Sequence, residues 1–490
     1  MAKNRLRSAL SAVVDIKPGE ERIAVFLFLY FFFITSPYYI IKSLRNASYL
    51  SGLGDEKLPL AYFLTAVLMG FIVNFHSRLQ VKLARSRLIS MSLAFFLSNI
   101  LVFWWLFGKG WKWVAVAFWV WANIFAIVLV TQFWSLVNDV FNPRQARRMI
   151  GFIGSGAQLG AILGGMLAGA LARKAPGLLL PLAAGMLGLG APVVAGIFRW
   201  RKQKTEGIDS EAEEKGSRST AVGFRDAFET TRRSRYLLFL AGIMTCTLVV
   251  STLIDWQFNR IVNTSVEGQN NLTSFFGYFN AGTMGFAFLF QLLLTSPIIK
   301  TFRIRGALLL YPIILFVGTG GIGLAALAGL IPLLPAILIK ASDKGLAYSL
   351  NQSVRELLYI PISPEQKYKS KVFIDMFMNR FAKGLGAVIL ALLLWAVPKP
   401  TGALGRQAAL GYISLVVLAI IAVWLFLNFR AGREYASLVK SKLEKRYERG
   451  DLLVDQRLDL GDAKRVFDIV ESQDKSSVLY AMNLFDLIRQ

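Results

Sequence analysis

Twelve stretches of predominantly apolar residues recur along this chain, each near the length a helix needs to cross the hydrocarbon core of a bilayer. They fall at about 23–41, 59–76, 88–107, 113–137, 149–172, 178–198, 236–257, 272–296, 306–329, 333–358, 372–397 and 408–428. Hydrocarbon offers backbone groups no partner, so such segments must satisfy their own N–H and C=O groups, and helices do so. Only 17% of the 490 residues are charged and 55% are hydrophobic, whereas an average soluble protein is roughly a quarter charged. The 41 Gly, 37 Phe and 11 Trp point the same way. A single cysteine, Cys246, excludes an internal disulfide. With no CxxC or His/Cys cluster there is no basis for a structural zinc site, and no metal or cofactor is expected. Met1 to Pro18 is basic and polar, without the apolar core of a signal peptide. His76, the sole histidine, reads as an interfacial residue.

The 55 Lys and Arg outnumber the 30 Asp and Glu, giving +25. In a soluble protein that excess suggests nucleic acid. Here it suggests basic loops facing anionic lipid, with no nucleic-acid partner. One set of loops is rich in cations: Arg78, Lys82, Arg85 and Arg87; Arg144, Arg147 and Arg148; Lys300, Arg303 and Arg305; Lys367, Lys369 and Lys371. The alternate loops are poorer. Excess Lys and Arg marks the cytoplasmic side, so both termini are expected in the cytoplasm.

The long polar connection 199–235 divides the spans six and six. This gives an N-terminal bundle (1–198), a cytoplasmic linker (199–235), a C-terminal bundle (236–428) and cytoplasmic amphipathic helices (429–490). The halves resemble each other at an offset near 220. Asn142-Pro143-Arg144-Gln145 has its counterpart in Ser363-Pro364-Glu365-Gln366, and Arg85-Ser86-Arg87 in Arg303-Ile304-Arg305. The expected fold is an all-α membrane protein of twelve transmembrane helices in two parallel six-helix repeats, the major-facilitator layout, plus a short cytoplasmic helical tail.

A charge at bilayer depth is costly unless it meets a wet cavity or a partner. The spans nevertheless hold cations at Lys42, Arg45, Lys340, Lys344, Arg355, Arg380 and Lys383, and acids at Asp139, Asp255, Asp343, Glu356 and Asp375. A surplus of cations suits an anion, and phosphates in particular. The substrate-binding set expected from this is Lys42, Arg45, Asn138, Asp139, Asp255, Lys340, Lys344, Arg355, Glu356, Asp375, Arg380 and Lys383. The bland alternative is internal pairing or snorkelling to the interface. Gly156, Gly160 and Gly164, with Gly165 and Gly169, allow close helix contact. No nucleophile–base constellation supports an enzyme.

The tenth span ends Tyr348-Ser349-Leu350-Asn351-Gln352-Ser353-Val354-Arg355-Glu356-Leu357-Leu358-Tyr359-Ile360-Pro361. This resembles the Y-S-L-F-D-P-T-K-E-M-A-Y-I-P signature of the ATP/ADP translocase family of plastids and intracellular bacteria. Lys371-Val372-Phe373-Ile374-Asp375 through Arg380-Phe381-Ala382-Lys383-Gly384 looks like its K-A-x-I-D…R-x-G-K. Phe133-Trp134-Ser135-Leu136-Val137-Asn138-Asp139 looks like its F-W-G-F-A-N-E, and Lys42-Ser43-Leu44-Arg45-Asn46 is similar to its R-x-x-K-D. The resemblance implies a nucleotide carrier, classically exchanging ATP for ADP, with binding residues falling on Arg45, Asp139, Asp255 and Lys383. The departures are Arg45 and Lys42 in swapped positions, Asn46 for an acid, Asp139 for Glu, and Gln257 where the family has lysine. They leave open another nucleotide or another amphipathic anion, lipid included. A non-transporting scaffold or sensor is the rival outside transport. The expected transport unit is a monomer among membrane lipids. In the tail, 433–449 reads as a charged amphipathic helix, while 462–472 and 475–489 look like a first HEAT-type repeat, a candidate structural cap or protein-binding element.

Overall fold

The computed structural model describes residues 20–141, 143–205, 224–363, 366, 370–371, 373–396 and 403–448. Among the described residues the regular elements are all helical. The chain runs α1 (Glu21–Leu53), α2 (Leu58–Lys82), α3 (Arg85–Phe107), α4 (Lys112–Val140), α5 (Pro143–Lys174), α6 (Leu179–Thr205), α7 (Phe224–Arg233), α8 (Arg235–Ser265), α9 (Gln269–Leu293) and α10 (Thr295–Leu327). Then follow α11 (Leu333–Leu346), a π turn (Ala347–Asn351), α12 (Gln352–Leu358), a second π turn (Phe373–Met378), α13 (Asn379–Ala396) and α14 (Ala403–Glu448). Eight of these helices are both long and apolar enough to cross a membrane. At 25 residues each, α2 and α9 also reach the necessary length.

Large apolar side chains stand on the outside, with Phe71 72%, Leu327 76% and Trp395 85% exposed. An exposed apolar surface of this kind is a liability in water and the natural boundary in lipid. Inside, two large hydrophobic clusters form among the described residues, with a small third one of Tyr39, Ala161 and Met284 where α1, α5 and α9 meet. One lies wholly within residues 23–197. The other lies largely within 227–424, and recruits Ala47, Tyr49, Leu50, Leu58, Ala61 and Trp119 from the first part of the chain.

Two expected boundaries are corrected. The first span, expected to end near residue 41, runs on through Pro37 as one helix to Leu53. A membrane helix tolerates proline where neighbours re-satisfy the freed backbone group. The continuation places Lys42 and Arg45 on a helix. The charged segment after the last span is not a separate helix either; 433–448 prolongs α14, and Tyr435 and Leu438 still pack on the second cluster. The first 19 residues, the middle of the linker and the expected repeat-like helices after 448 lie outside the described residues.

Glycine sets the closest helix approaches. A Cβ on Gly156, Gly160 or Gly164 of α5 would overlap backbone oxygens of Phe28, Phe32 or Ser36 on α1. On the other face of α5, a Cβ on Gly165 would lie 2.7 Å from the Gly277 oxygen of α9. Ser274 of α9 donates to the Gly169 carbonyl at 2.8 Å. Without a hydrophobic force between helices in lipid, this contact between backbones is what joins α5 to α9. Gly277→Ala would drive a methyl into the Gly169 nitrogen. Neither backbone can move independently, so the expected cost is about 1–3 kcal/mol, read as a lower unfolding midpoint of the purified protein.

Candidate functional site

Where α1, α2, α8, α10 and α11 meet, polar side chains converge in an otherwise apolar bundle. On α8, Ser251, Asp255 and Asn259 follow at intervals of four and share a face. On α11, Lys340, Asp343 and Lys344 occupy one turn. Lys340, 3% exposed, places its Nζ 2.6 Å from Asp255 Oδ1 and 3.5 Å from Asp343 Oδ2. Tyr62 of α2 donates to Asp255 Oδ2 at 2.6 Å, and Asn259 Nδ2 donates to the same oxygen at 3.2 Å. Asp343 is fully buried. Its Oδ1 accepts from Tyr311 of α10 at 2.9 Å and its Oδ2 from Ser251 at 3.0 Å, while Lys344 Nζ lies 3.5 Å away.

The α1 side supplies cations. Lys42 Nζ sits 4.6 Å from the Tyr39 ring centre and interacts electrostatically with Lys344, Arg45, Asp255 and Lys340. Arg45 is 7% exposed. Its Nε and Nη2 donate to Asn46 Oδ1 at 3.1 and 2.8 Å, its Nη1 donates to Asn123 Oδ1 at 3.1 Å, and its guanidinium lies 4.3 Å over Trp119. These partners are neutral, so they orient Arg45 without cancelling its charge. The cluster thus holds four cations (Lys42, Arg45, Lys340, Lys344) against two carboxylates (Asp255, Asp343). The side chains of Asp255 and Lys344 remain 32% and 31% accessible. Charges at this depth would not be stable against hydrocarbon, so the space they face is polar.

Of the twelve expected binding residues, Lys42, Arg45, Asp255, Lys340 and Lys344 come together here. Asp139 is elsewhere, at the end of α4, held by Arg85 with Nε–Oδ2 at 2.7 Å and Nη2–Oδ1 at 3.3 Å. Its neighbour Asn138 is exposed. Arg355 lines a separate cavity within the second bundle beside Asn351, Leu358 and Asn428, with Nη1 3.1 Å from the Met244 sulfur. Glu356 makes an exposed pair with Lys371 at 2.7 Å. Lys383 is on an exposed face of α13. The side chains of Asp375 and Arg380 lie outside the described residues. His76 is buried against protein, 2.9 Å from Gln132, which also donates to Ser92 at 2.7 Å. Its ring nitrogen thus has a partner within the bundle.

Tyr62, Ser251, Asn259, Tyr311, Asn123 and Trp119 were not evident as site residues from sequence. The Ser251–Asp255–Asn259 spacing carried a usable signal. Tyr311, alone in an apolar run, carried none.

Residues 103–435, more than half of the chain, match the family model described as "TLC ATP/ADP transporter". The chain belongs to the TLC ATP/ADP transporter family. This is a family of membrane transporters, not of enzymes. "ADP,ATP carrier protein 1" of Chlamydia pneumoniae is 26% identical over 345 residues, covering 64% of this chain and 66% of that protein. Its namesake in Chlamydia trachomatis serovar D is 24% identical over 344 residues, 64% of each chain. The match therefore spans just under two thirds of these relatives' length. Among solved structures, a bacterial homologue of the iron transporter ferroportin in an inward-facing state superposes with a TM-score of 0.59 at 12% identity, covering 84% of this chain and 98% of that one. At that identity the likeness is one of fold. Both π turns of this TLC chain fall on segments that carry the family resemblance, at Tyr348–Asn351 and Phe373–Asp375. Such turns locally release the helical register and concentrate at functional positions.

Proposed function

We propose that this protein is a secondary carrier that moves a nucleotide of the ATP/ADP class, exchanging one for another across the bacterial inner membrane. The observation that carries the reading is the central cluster. Four cations against two carboxylates, assembled from helices of both halves, offer a net positive, partly accessible site to a polyphosphate. The names of the Chlamydia relatives supply the substrate class. In this reading the twelve apolar stretches are twelve spans in two parallel six-helix repeats with both termini cytoplasmic. The division into two large hydrophobic clusters supports it, as does the basic character of alternate loops. Lys42, Arg45, Lys340 and Lys344 contact the phosphates, and Asp255 holds Lys340 when no substrate is present. Arg380, Lys383, Arg355 and Asp375 remain candidates for a second conformation of the same pathway, with Asp139, Asn138 and Glu356 near its ends. The two halves rock about the α5–α9 contact and expose the cluster to each side in turn.

The decisive experiment is reconstitution into liposomes loaded with ADP or left empty. Saturable ATP uptake that depends on internal ADP is the expected result. Absence of uptake under both conditions overturns the reading.

A further inference from the structure

We infer that Asp343 sets the charge of the anion this carrier prefers, by cancelling one cation of the central cluster. The inference rests on the nucleotide reading above and deepens it. Asp343 is fully buried and does not itself face substrate. Both its oxygens are occupied by hydroxyls from other helices, Tyr311 at 2.9 Å and Ser251 at 3.0 Å. Those hydroxyls fix the carboxylate in place. It then lies 3.5 Å from the ammonium groups of both Lys340 and Lys344, the two lysines of its own helix turn.

The two carboxylates of the cluster differ in kind. Asp255 is one-third accessible and contacts Lys340 at 2.6 Å, so an arriving phosphate can compete with it for that lysine. Asp343 is enclosed on every side by Tyr311, Ser251, Lys340 and Lys344, and an arriving anion has no route to displace it. Its charge is a permanent subtraction from the four cations, leaving an excess of two with Asp255 counted. ATP carries one more negative charge than ADP. At an effective dielectric near 20, one added charge pair several ångströms apart changes binding by about tenfold or more. The fixed charge of Asp343 is therefore placed to act on the ratio of ATP to ADP affinity rather than on affinity alone.

The test measures ATP and ADP dissociation constants by competition on the purified protein in magnesium-free buffer. Asp343→Asn raises the excess by one and is expected to shift the affinity ratio about tenfold toward ATP. Lys344→Gln lowers it by one and is expected to shift the ratio toward ADP. The double variant restores the original excess and with it the original ratio, and Asp343→Glu, which keeps the charge, retains it. A merely structural anchor would weaken both nucleotides equally, leave their ratio unchanged, and gain nothing from the second substitution; that pattern overturns the inference. Should Asp343→Asn fail to fold alone, the double variant compared with Lys344→Gln decides: return of the ratio toward ATP when Asp343→Asn is added supports the charge balance, and an unchanged ratio overturns it. Failure of the unaltered protein to bind either nucleotide overturns the nucleotide reading itself, and is a distinct result.

Discussion

Lys340→Ala is expected to abolish nucleotide uptake and to destabilise the protein by about 3–5 kcal/mol. The lysine is 3% exposed and stands between two carboxylates, Asp255 at 2.6 Å and Asp343 at 3.5 Å. Removing one partner of a buried ion pair leaves the other charged and desolvated, which costs far more than the pair contributed. Tyr62 and Asn259 continue to hydrogen-bond Asp255, and Tyr311 and Ser251 continue to hold Asp343. These partners place the expected loss toward the lower end of that range. The second arm separates stability from function. In Lys340→Ala combined with Asp255→Asn, the orphaned charge is gone and the unfolding midpoint should recover in part. Uptake should not recover, because the phosphate contact is absent in both variants. Lys340→Arg retains the charge but replaces a compact ammonium with a planar fork in a space formed around lysine, so partial uptake is expected. Wild-type uptake by Lys340→Ala would remove the lysine from the binding site.

Much of the architecture was legible because lipid imposes so few options. An apolar run of twenty residues must be helical, and eight helices long and apolar enough to cross a membrane are found among the described residues, while the stretch 333–358 is divided into α11, a π turn and α12. The ends escaped because helix termination is decided by local contacts. Nothing in the residues around Pro37 announced that α1 would run on to Leu53, or that α14 would continue past the lipid-facing stretch. The site was legible in part for a related reason. Lys42, Arg45, Asp255, Lys340 and Lys344 were conspicuous because charge is expensive at their depth. Asp139 was equally conspicuous, yet it is satisfied by Arg85 at the start of α3, and a pair between the far ends of two successive helices leaves no local sequence trace. The uncharged members, Tyr62, Tyr311, Asn123 and Trp119, gain their roles only from the neighbours that the fold brings to them. Asp343 was recognised as a buried acid but not as part of the site, since its placement between two lysines depends on helical geometry and on hydroxyls from α8 and α10.

Asp55→Ala is expected to open the end of the bundle where α1 turns into α2. Gly54, with φ of +78°, ends α1 and directs the chain into a short 3-10 turn beginning at Asp55. That turn rests on α8. Arg260 Nη1 lies 2.6 Å from Asp55 Oδ2, Asn263 Nδ2 donates to Oδ1 at 3.2 Å, and the Trp256 indole donates to the Asp55 carbonyl at 3.0 Å. Arg260 and Asp55 are both buried. The ion pair joins the α1–α2 turn to α8, and in the proposed cycle the rocking that exposes the cluster at this end must break it. While the end is closed, removing Asp55 strands a buried guanidinium, at a cost of about 3–5 kcal/mol. Once the end is open, water solvates Arg260 and that cost disappears. The substitution therefore penalises one conformation selectively, and a penalty of this size shifts the ratio of closed to open by about two orders of magnitude or more. Spin labels at Glu56→Cys and Glu267→Cys, both exposed positions on opposite halves, in a Cys246→Ser background report the separation directly. The unaltered pair should give a short distance and Asp55→Ala a longer one. Exchanging the partners, Asp55→Arg with Arg260→Asp, should restore the short distance in part, since the pairing is regained although the Asn263 and Trp256 contacts are rearranged. A distance unchanged by Asp55→Ala would show that packing of Tyr49, Leu50 and Leu58 against the second cluster closes this end without help from the ion pair.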